Sequence, residues 1–309
     1  MNSRKLPNTR PGHLIRLCTA ALTLGLTTGG VLAGTTHQQI TGTPYDNTKA
    51  PHETPYKAEP PTGGHENLAE AATNPIGNLI QVQIQDQYNW ANHNSDGYSN
   101  SAIIQPVIPV SLPWKAVPTM ITRTTFSYVT TPDLGDPFGR TSALGDTVII
   151  APLLPKLKAK GIMIGLGPAL SIPTATDDLT GSGKWAAGPT AVYFNGKTKG
   201  LQWGVLGWHL WDFADADNDH DASVNKSFFQ PFLVKHFDKG WYVGTPDVPG
   251  TYNWRDGQTT FPLGLRVGRV TKIGKQPVNL MGEVFSSPWD DGASSEWSVK
   301  LSFTLLFPK

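Results

Sequence analysis

The chain has 309 residues, a formal net charge of +1, ten tryptophans and a single cysteine. A charge so near balance excludes bulk attraction to nucleic acid, and the lone Cys18 excludes an intramolecular disulfide. Charged residues make up 16% of the chain, below the ~25% usual for soluble domains, whereas Gly and Pro are abundant.

Residues 1–33 read as an export signal. Arg4, Lys5, Arg10 and Arg16 form a basic region, "LCTAALTLGLTTGGVLA" an apolar stretch, and Val31-Leu32-Ala33 a small-residue cleavage site. The expected mature chain starts near Gly34 and has no cysteine. Residues 34–64, rich in Thr, Pro and Gly, can bury little apolar surface and predict a disordered linker. His37, His52 and His65 lie in or beside it at wide, irregular spacing, which suits solvated side chains better than metal ligands. Residues 65–78 predict a short helix that ends at Asn74-Pro75.

From residue 79 the period becomes two. "LIQVQIQDQYNW" places Ile80, Val82, Ile84, Tyr88 and Trp90 on one face and Gln81, Gln83, Gln85, Gln87 and Asn89 on the other. "GIMIGLGPALSI", "FPLGLRVGRV" and the C-terminal "WSVKLSFTLLFPK" repeat the pattern. Such segments fall near 79–90, 101–112, 117–129, 144–154, 161–173, 185–195, 200–212, 226–237, 240–252, 259–271, 277–287 and 296–307. Most have the roughly 9–11 residues that a tilted strand needs to cross a bilayer. No window after residue 40 approaches the ~20 apolar residues of a spanning helix. The ninth segment carries Pro246 and Pro249, which leave its register open.

The connections alternate in character. Odd ones are mostly long and acidic ("NHNSDGYSN", "TPDLGDPFGRT", "TATDDLTGSGK", "DFADADNDHDASVN", "RDGQ", "PWDDGASS"). Even ones are mostly short and basic ("PWKA", "LPKLKAKG", "NGKTKG", "FDKG", "KIGKQ"). An up-and-down barrel in an outer membrane sorts its loops by parity, with long loops outside and short turns in the periplasm. Tryptophans near strand ends (Trp90, Trp114, Trp185, Trp211, Trp241, Trp254, Trp289, Trp297) fit interfacial girdles. Residues 79–309 therefore predict an all-β fold, a transmembrane antiparallel up-and-down barrel of about 12 strands, with a secreted β-sandwich as the alternative. Its expected place is the outer membrane of a Gram-negative bacterium. Its expected partners are outer-membrane lipid, lipopolysaccharide and small solutes.

Several stretches ("NPIGNLIQVQIQDQYNW", "IIQPVIPV", "GLGPALSIPTATDDLTGSGKWAAGPTAV", "FFQPFL", "KIGKQPVNL" and terminal "LLFPK") together resemble the phenol-degradation MetA-pathway family of outer-membrane proteins, often labelled transporters. The resemblance spans roughly residues 68–309. It implies an outer-membrane barrel that passes hydrophobic or aromatic compounds, and it implies no catalytic residue.

Three constellations could carry function. Gln81, Gln83, Gln85, Gln87, Arg123, Arg266 and Lys300 occupy wet strand faces, and Glu283 joins them on a strand that alternates poorly. They would line a lumen and set its selectivity, or pair and close it. The 65–78 helix could enter that lumen as a plug. In the first loop, "NHNSDGYS" resembles an element of outer-membrane phospholipase A, a twelve-stranded barrel. That resemblance implies His93 as base and Ser95 as nucleophile, although Asp96 replaces the usual Asn. The stretch is equally what an exposed loop is made of, and we read it as one. In "DADNDHD", Asp215, Asp217, Asp219 and Asp221 alternate, but His220 replaces the Gly of a calcium loop and Lys226 its terminal Glu. A loose divalent-cation site is the alternative to a solvated loop. No cofactor motif is present, and a non-enzymatic channel or transporter for small solutes is the leading reading, with an outer-membrane lipid esterase using Ser95 and His93 or a non-conducting structural barrel as the alternatives.

Overall fold

The computed structural model describes residues 65–136, 138–216, 223–288 and 295–308. The strands, labelled here in chain order, are β1 (Ile80–Asn92), β2 (Ser99–Ser111), β3 (Thr119–Thr130), β5 (Ile162–Ile172), β6 (Lys184–Thr198), β7 (Leu201–Asp215), β8 (Asn225–His236), β11 (Gln276–Ser286) and β12 (Ser295–Phe307). Three more are interrupted: β4 (Ser142–Leu144, Thr147–Ile150, Leu153–Leu154), β9 (Trp241–Gly244, Gly250–Asn253) and β10 (Thr259–Thr260, Leu263–Ile273).

Each strand pairs antiparallel with its neighbours in sequence, and β12 returns to β1 in the register Ile80↔Phe307 through Asn92↔Ser295. The sheet is therefore a closed twelve-stranded antiparallel barrel. Closure matters physically: a strand edge facing hydrocarbon would leave unpaired N–H and C=O groups, each costing several kcal/mol.

The alternation sorts side chains as the period of two demands. On β12, Leu301 is 61% exposed on the outside, whereas Ser298, Lys300, Ser302 and Thr304 are buried inside. On β1, Ile84, Tyr88 and Trp90 point out while Gln81, Gln85 and Asn89 are buried. An apolar, aromatic-rich exterior around a polar interior is the surface that lipid selects. Among the described residues no helix is long and apolar enough to cross a membrane.

Three strands depart from the expected continuous runs, the simplest being β10, broken at Phe261-Pro262. β4 is split at Gly145-Asp146 and Ala151-Pro152. Asp146 leaves the ladder to accept hydrogen bonds from Ser182 N and Oγ, both at 2.7 Å, and Pro152 has no N–H to give. In β9 the open register is decided by a break. Residues 245–249, which hold Pro246 and Pro249, lie between two short paired pieces.

The helix α1 (His65–Thr73) lies at the short-turn end, against the one-turn helix Asp238–Gly240 and the neighbouring β8 and β10. It stops because Pro75 cannot continue it. The Asn74 side chain accepts the Ile76 N–H at 3.0 Å and turns the chain into β1. Its buried face, Leu68, Ala69 and Ala72, packs with Leu79, Val234, Tyr242, Val270 and Leu306 inside the barrel. Gly268 on β10 makes room for the Tyr242 ring, and a Cβ there would collide with it. Gly268→Ala is expected to destabilise the barrel by about 1–3 kcal/mol, read as a lower guanidinium midpoint. An unchanged midpoint would contradict this packing.

Candidate functional site in the barrel lumen

The lumen has two unlike walls. One is apolar, built mainly from the inward faces of β2–β8, with Val107, Ile121, Ile150, Val192, Phe194, Leu206 and Phe232 in one buried cluster that Ile76 joins. On β5 the inward positions are small, and at Gly165 the Leu154 and Val192 side chains fill the space. The other wall is polar and charged, built from β9–β12, β1 and single residues of β3 and β8.

That charged wall is organised by Asp247, from the break in β9. Its Oδ1 accepts a hydrogen bond from Gln230 Nε2 at 2.6 Å and lies 3.5 Å from Arg266 Nη1. Its backbone N–H donates to Glu283 Oε2 at 2.7 Å, and its carbonyl oxygen accepts from Lys300 Nζ at 2.7 Å. Lys300 also pairs with Glu283 at 2.6 Å, their side chains 2% and 0% exposed. Arg123 donates to Gln230 Oε1 at 3.3 Å. The five-residue excursion is thus folded inward as a latch in the lumen, held by charges from three other strands and by the Gln230 amide of a fourth. Prolines explain why: neither Pro246 nor Pro249 can donate to a ladder, so the segment between them is free to leave the wall.

Beneath the latch sits α1. Thr73 Oγ1 lies 2.9 Å from Gln202 Oε1 and 3.1 Å from His236 Nε2. Gln202 Nε2 donates to the Glu70 carbonyl at 2.9 Å, and Gly200 N donates to Glu70 Oε1 at 2.9 Å. Helix and latch enclose a cavity of about 40 Å³ lined by Thr73, Gln81, Gln83, Arg123, Asp247 and Arg266, with Val107, Phe232 and Met281 as its apolar part. This is room for water-sized occupants.

The lumen candidates fall into two groups. Arg123, Arg266, Glu283 and Lys300 come together around Asp247. The glutamines of β1 form a row: Gln81 and Gln83 line the cavity, Gln85 Nε2 donates to Gln83 Oε1 at 2.7 Å, and Gln87 Nε2 donates to Asn89 Oδ1 at 3.0 Å. The residues that sequence reasoning passed over are Asp247, Gln230, Gln202 and His236. The signal for the first was present in "TPDVPG", where two prolines bracket an acid inside a strand.

The loop pair takes separate partners. The His93 ring nitrogen Nε2 lies 2.9 Å from the Ser287 carbonyl, and Ser95 Oγ donates to the His93 carbonyl at 3.3 Å. A different Ser–His contact lies on the outer face: Ser227 Oγ is 2.7 Å from His209 Nδ1 and accepts from Trp254 Nε1 at 2.9 Å. Of the four aspartates, Asp215 pairs with Lys184 at 2.6 Å, while Asp217, Asp219 and Asp221 lie outside the described residues. Among the described residues no group of three metal-ligating side chains is gathered.

No family model and no curated relative matches the chain. Among solved structures it is similar to the COG4313 outer membrane channel from Pseudomonas putida F1, at a TM-score of 0.54 and 17% identity, covering 74% of this chain and 94% of that one. It also matches outer membrane phospholipase A from Escherichia coli, at a TM-score of 0.39 and 11% identity, over 74% and 92% of the two chains. At these identities the first likeness is one of fold. The class it defines with the geometry above is a closed twelve-stranded barrel with a lipid-facing exterior and an internally plugged lumen.

Proposed function

We propose that the chain is an outer-membrane channel that passes small solutes when its N-terminal helix or its β9 latch moves. The observation that carries this reading is the lumen itself. It is closed by two inserted segments with a cavity between them, beside a packed cluster of inward strand side chains. The short-turn end, where α1 enters, corresponds to the periplasm and the long-loop end to the outside. The similarity to the Pseudomonas outer membrane channel and the resemblance to the MetA-pathway family support the same reading. The opposed apolar and charged walls suit solutes with one greasy and one polar side, small aromatic compounds among them. Proteoliposomes carrying the refolded protein should swell in iso-osmotic small solutes faster than empty liposomes. Equal rates for every solute below about 200 Da would sink the channel reading, since even a narrow ungated lumen admits some of them.

A second reading rests on Ser227 and His209. A serine hydroxyl on an imidazole at 2.7 Å, beside Trp211 and Trp254 on the lipid-facing side, is the arrangement of a nucleophile and its base. In this reading the barrel also cleaves lipid esters. The expected result is that a fluorophosphonate probe labels the wild-type protein and not Ser227→Ala. An unlabelled wild type leaves the pair as a mutual cap for two polar groups in an apolar belt.

A further inference from the structure

We infer that the cavity between helix and latch is a binding subsite for a small organic monocarboxylate with an apolar body. This rests on the channel reading, whose solute class it narrows. The first argument is charge. Arg123, Arg266 and Lys300 bring three positive charges to the network, and Asp247 and Glu283 bring two negative ones, leaving one positive charge over. Lys300 is matched by Glu283, while Arg266 and Arg123 share the single carboxylate of Asp247, so the surplus falls on this arginine pair, and Arg123 donates its hydrogen bond to the neutral amide of Gln230. Glu70, one of the two acids of the helix, is turned away to Gly200. A half-buried cation that shares its counter-charge is under-compensated, and an anion held against it recovers part of that cost.

The second argument is unused hydrogen-bonding capacity. Arg266 Nε and Gln81 Oε1 are both buried without a hydrogen-bond partner, in residues 4% and 2% exposed, and both side chains line the cavity. A guanidinium with a free N–H recognises a carboxylate oxygen by a charge-assisted hydrogen bond. The Gln81 carbonyl, an acceptor only, would take a hydrogen bond from a water that accompanies the ligand.

The third argument is shape. Val107, Phe232 and Met281 border the same cavity and continue into the apolar wall through Phe194 and Ile76. At about 40 Å³ the cavity takes the charged head as it stands. The apolar body needs the space beside Ile76, at the turn that follows the helix. Binding of the whole ligand is therefore linked to displacement of the plug, and the ligand favours the state in which solutes pass.

The test is calorimetric titration of the refolded full chain with benzoate and, separately, with benzyl alcohol, its uncharged counterpart. Benzoate is expected to bind, and benzyl alcohol to bind at least about tenfold more weakly, as the loss of a charge-assisted hydrogen bond implies. Arg123→Gln should weaken benzoate by a similar factor while leaving the heat-modifiable mobility of the folded barrel on detergent gels. Absent benzoate binding, or equal binding of the two probes by wild type, overturns the proposal without recourse to any variant. So does benzoate binding unchanged in folded Arg123→Gln. Swelling rates measured on the same preparation report on the channel independently. Flux without benzoate binding removes only the subsite, and binding without flux removes only the channel.

Discussion

Deleting residues 65–76 is expected to convert a barrel that opens only briefly in planar bilayers into one with steady conductance. The argument starts from the helix itself. Nine residues form too short a helix to persist alone in water. α1 therefore owes its structure to the lumen, through the apolar contacts of Leu68, Ala69 and Ala72 and the polar ones of Glu70 and Thr73. A helix with its side chains is about 10 Å across, and its removal leaves that much of the lumen unfilled. The barrel wall should survive, because the β1–β12 seam begins at Ile80, beyond the deletion. Single-channel recording of both forms checks this. A truncated protein that folds and stays silent would place the block at the 245–249 latch instead.

Glu283→Gln is expected to destabilise the barrel by about 3–5 kcal/mol, and Lys300→Met by a similar amount. Each leaves one charge of a fully buried pair without its partner, at a site where water cannot replace it. The paired change Glu283→Gln with Lys300→Met should recover much of that loss, because it removes both buried charges together. The two residues face each other directly across β11 and β12, so strong coupling between the single changes is expected. Guanidinium midpoints of the four proteins test this. Additive losses in the double variant would show that the pair acts separately, and a wild-type midpoint for Glu283→Gln would show that the network does not hold the latch. Because Lys300 also binds the Asp247 carbonyl, the double variant should conduct more readily than the wild type even where its stability is restored.

The two sets of effects separate what the helix does from what the latch does. The helix is held mainly by apolar burial and a few separate hydrogen bonds, which a solute or a partner could replace piecemeal. The latch is held by charges from β10, β11 and β12 and by the Gln230 amide of β8, which are satisfied together or not at all. The helix is thus the cheaper of the two obstructions to move, which is why its deletion is the larger functional effect and the ion pair the larger stability effect.

The amino-acid sequence by itself determined the barrel. A period of two repeated over twelve segments places alternate side chains on opposite faces whatever the neighbours do. Loops sorted by parity can arise only if successive strands run up and down. Pairings such as Ile84 with Phe303 across the β1–β12 seam follow once both greasy faces must point the same way. The wet-face residues were legible for the same reason, since Arg266 and Lys300 could not sit on the lipid side. Only the tertiary structure decided what those residues do there. Nothing local says that Arg123, Arg266, Glu283 and Lys300 converge, because they lie on four strands and meet through Asp247, a residue outside any alternating run. The apolar wall was hidden too: Val107, Phe194 and Phe232 face inward, and whether such a face meets lipid or lumen depends on the closure of the whole sheet. Periodicity assigns a residue to a face, whereas the balance of charge and cavity inside a barrel is a property of all twelve strands, the helix and the latch together.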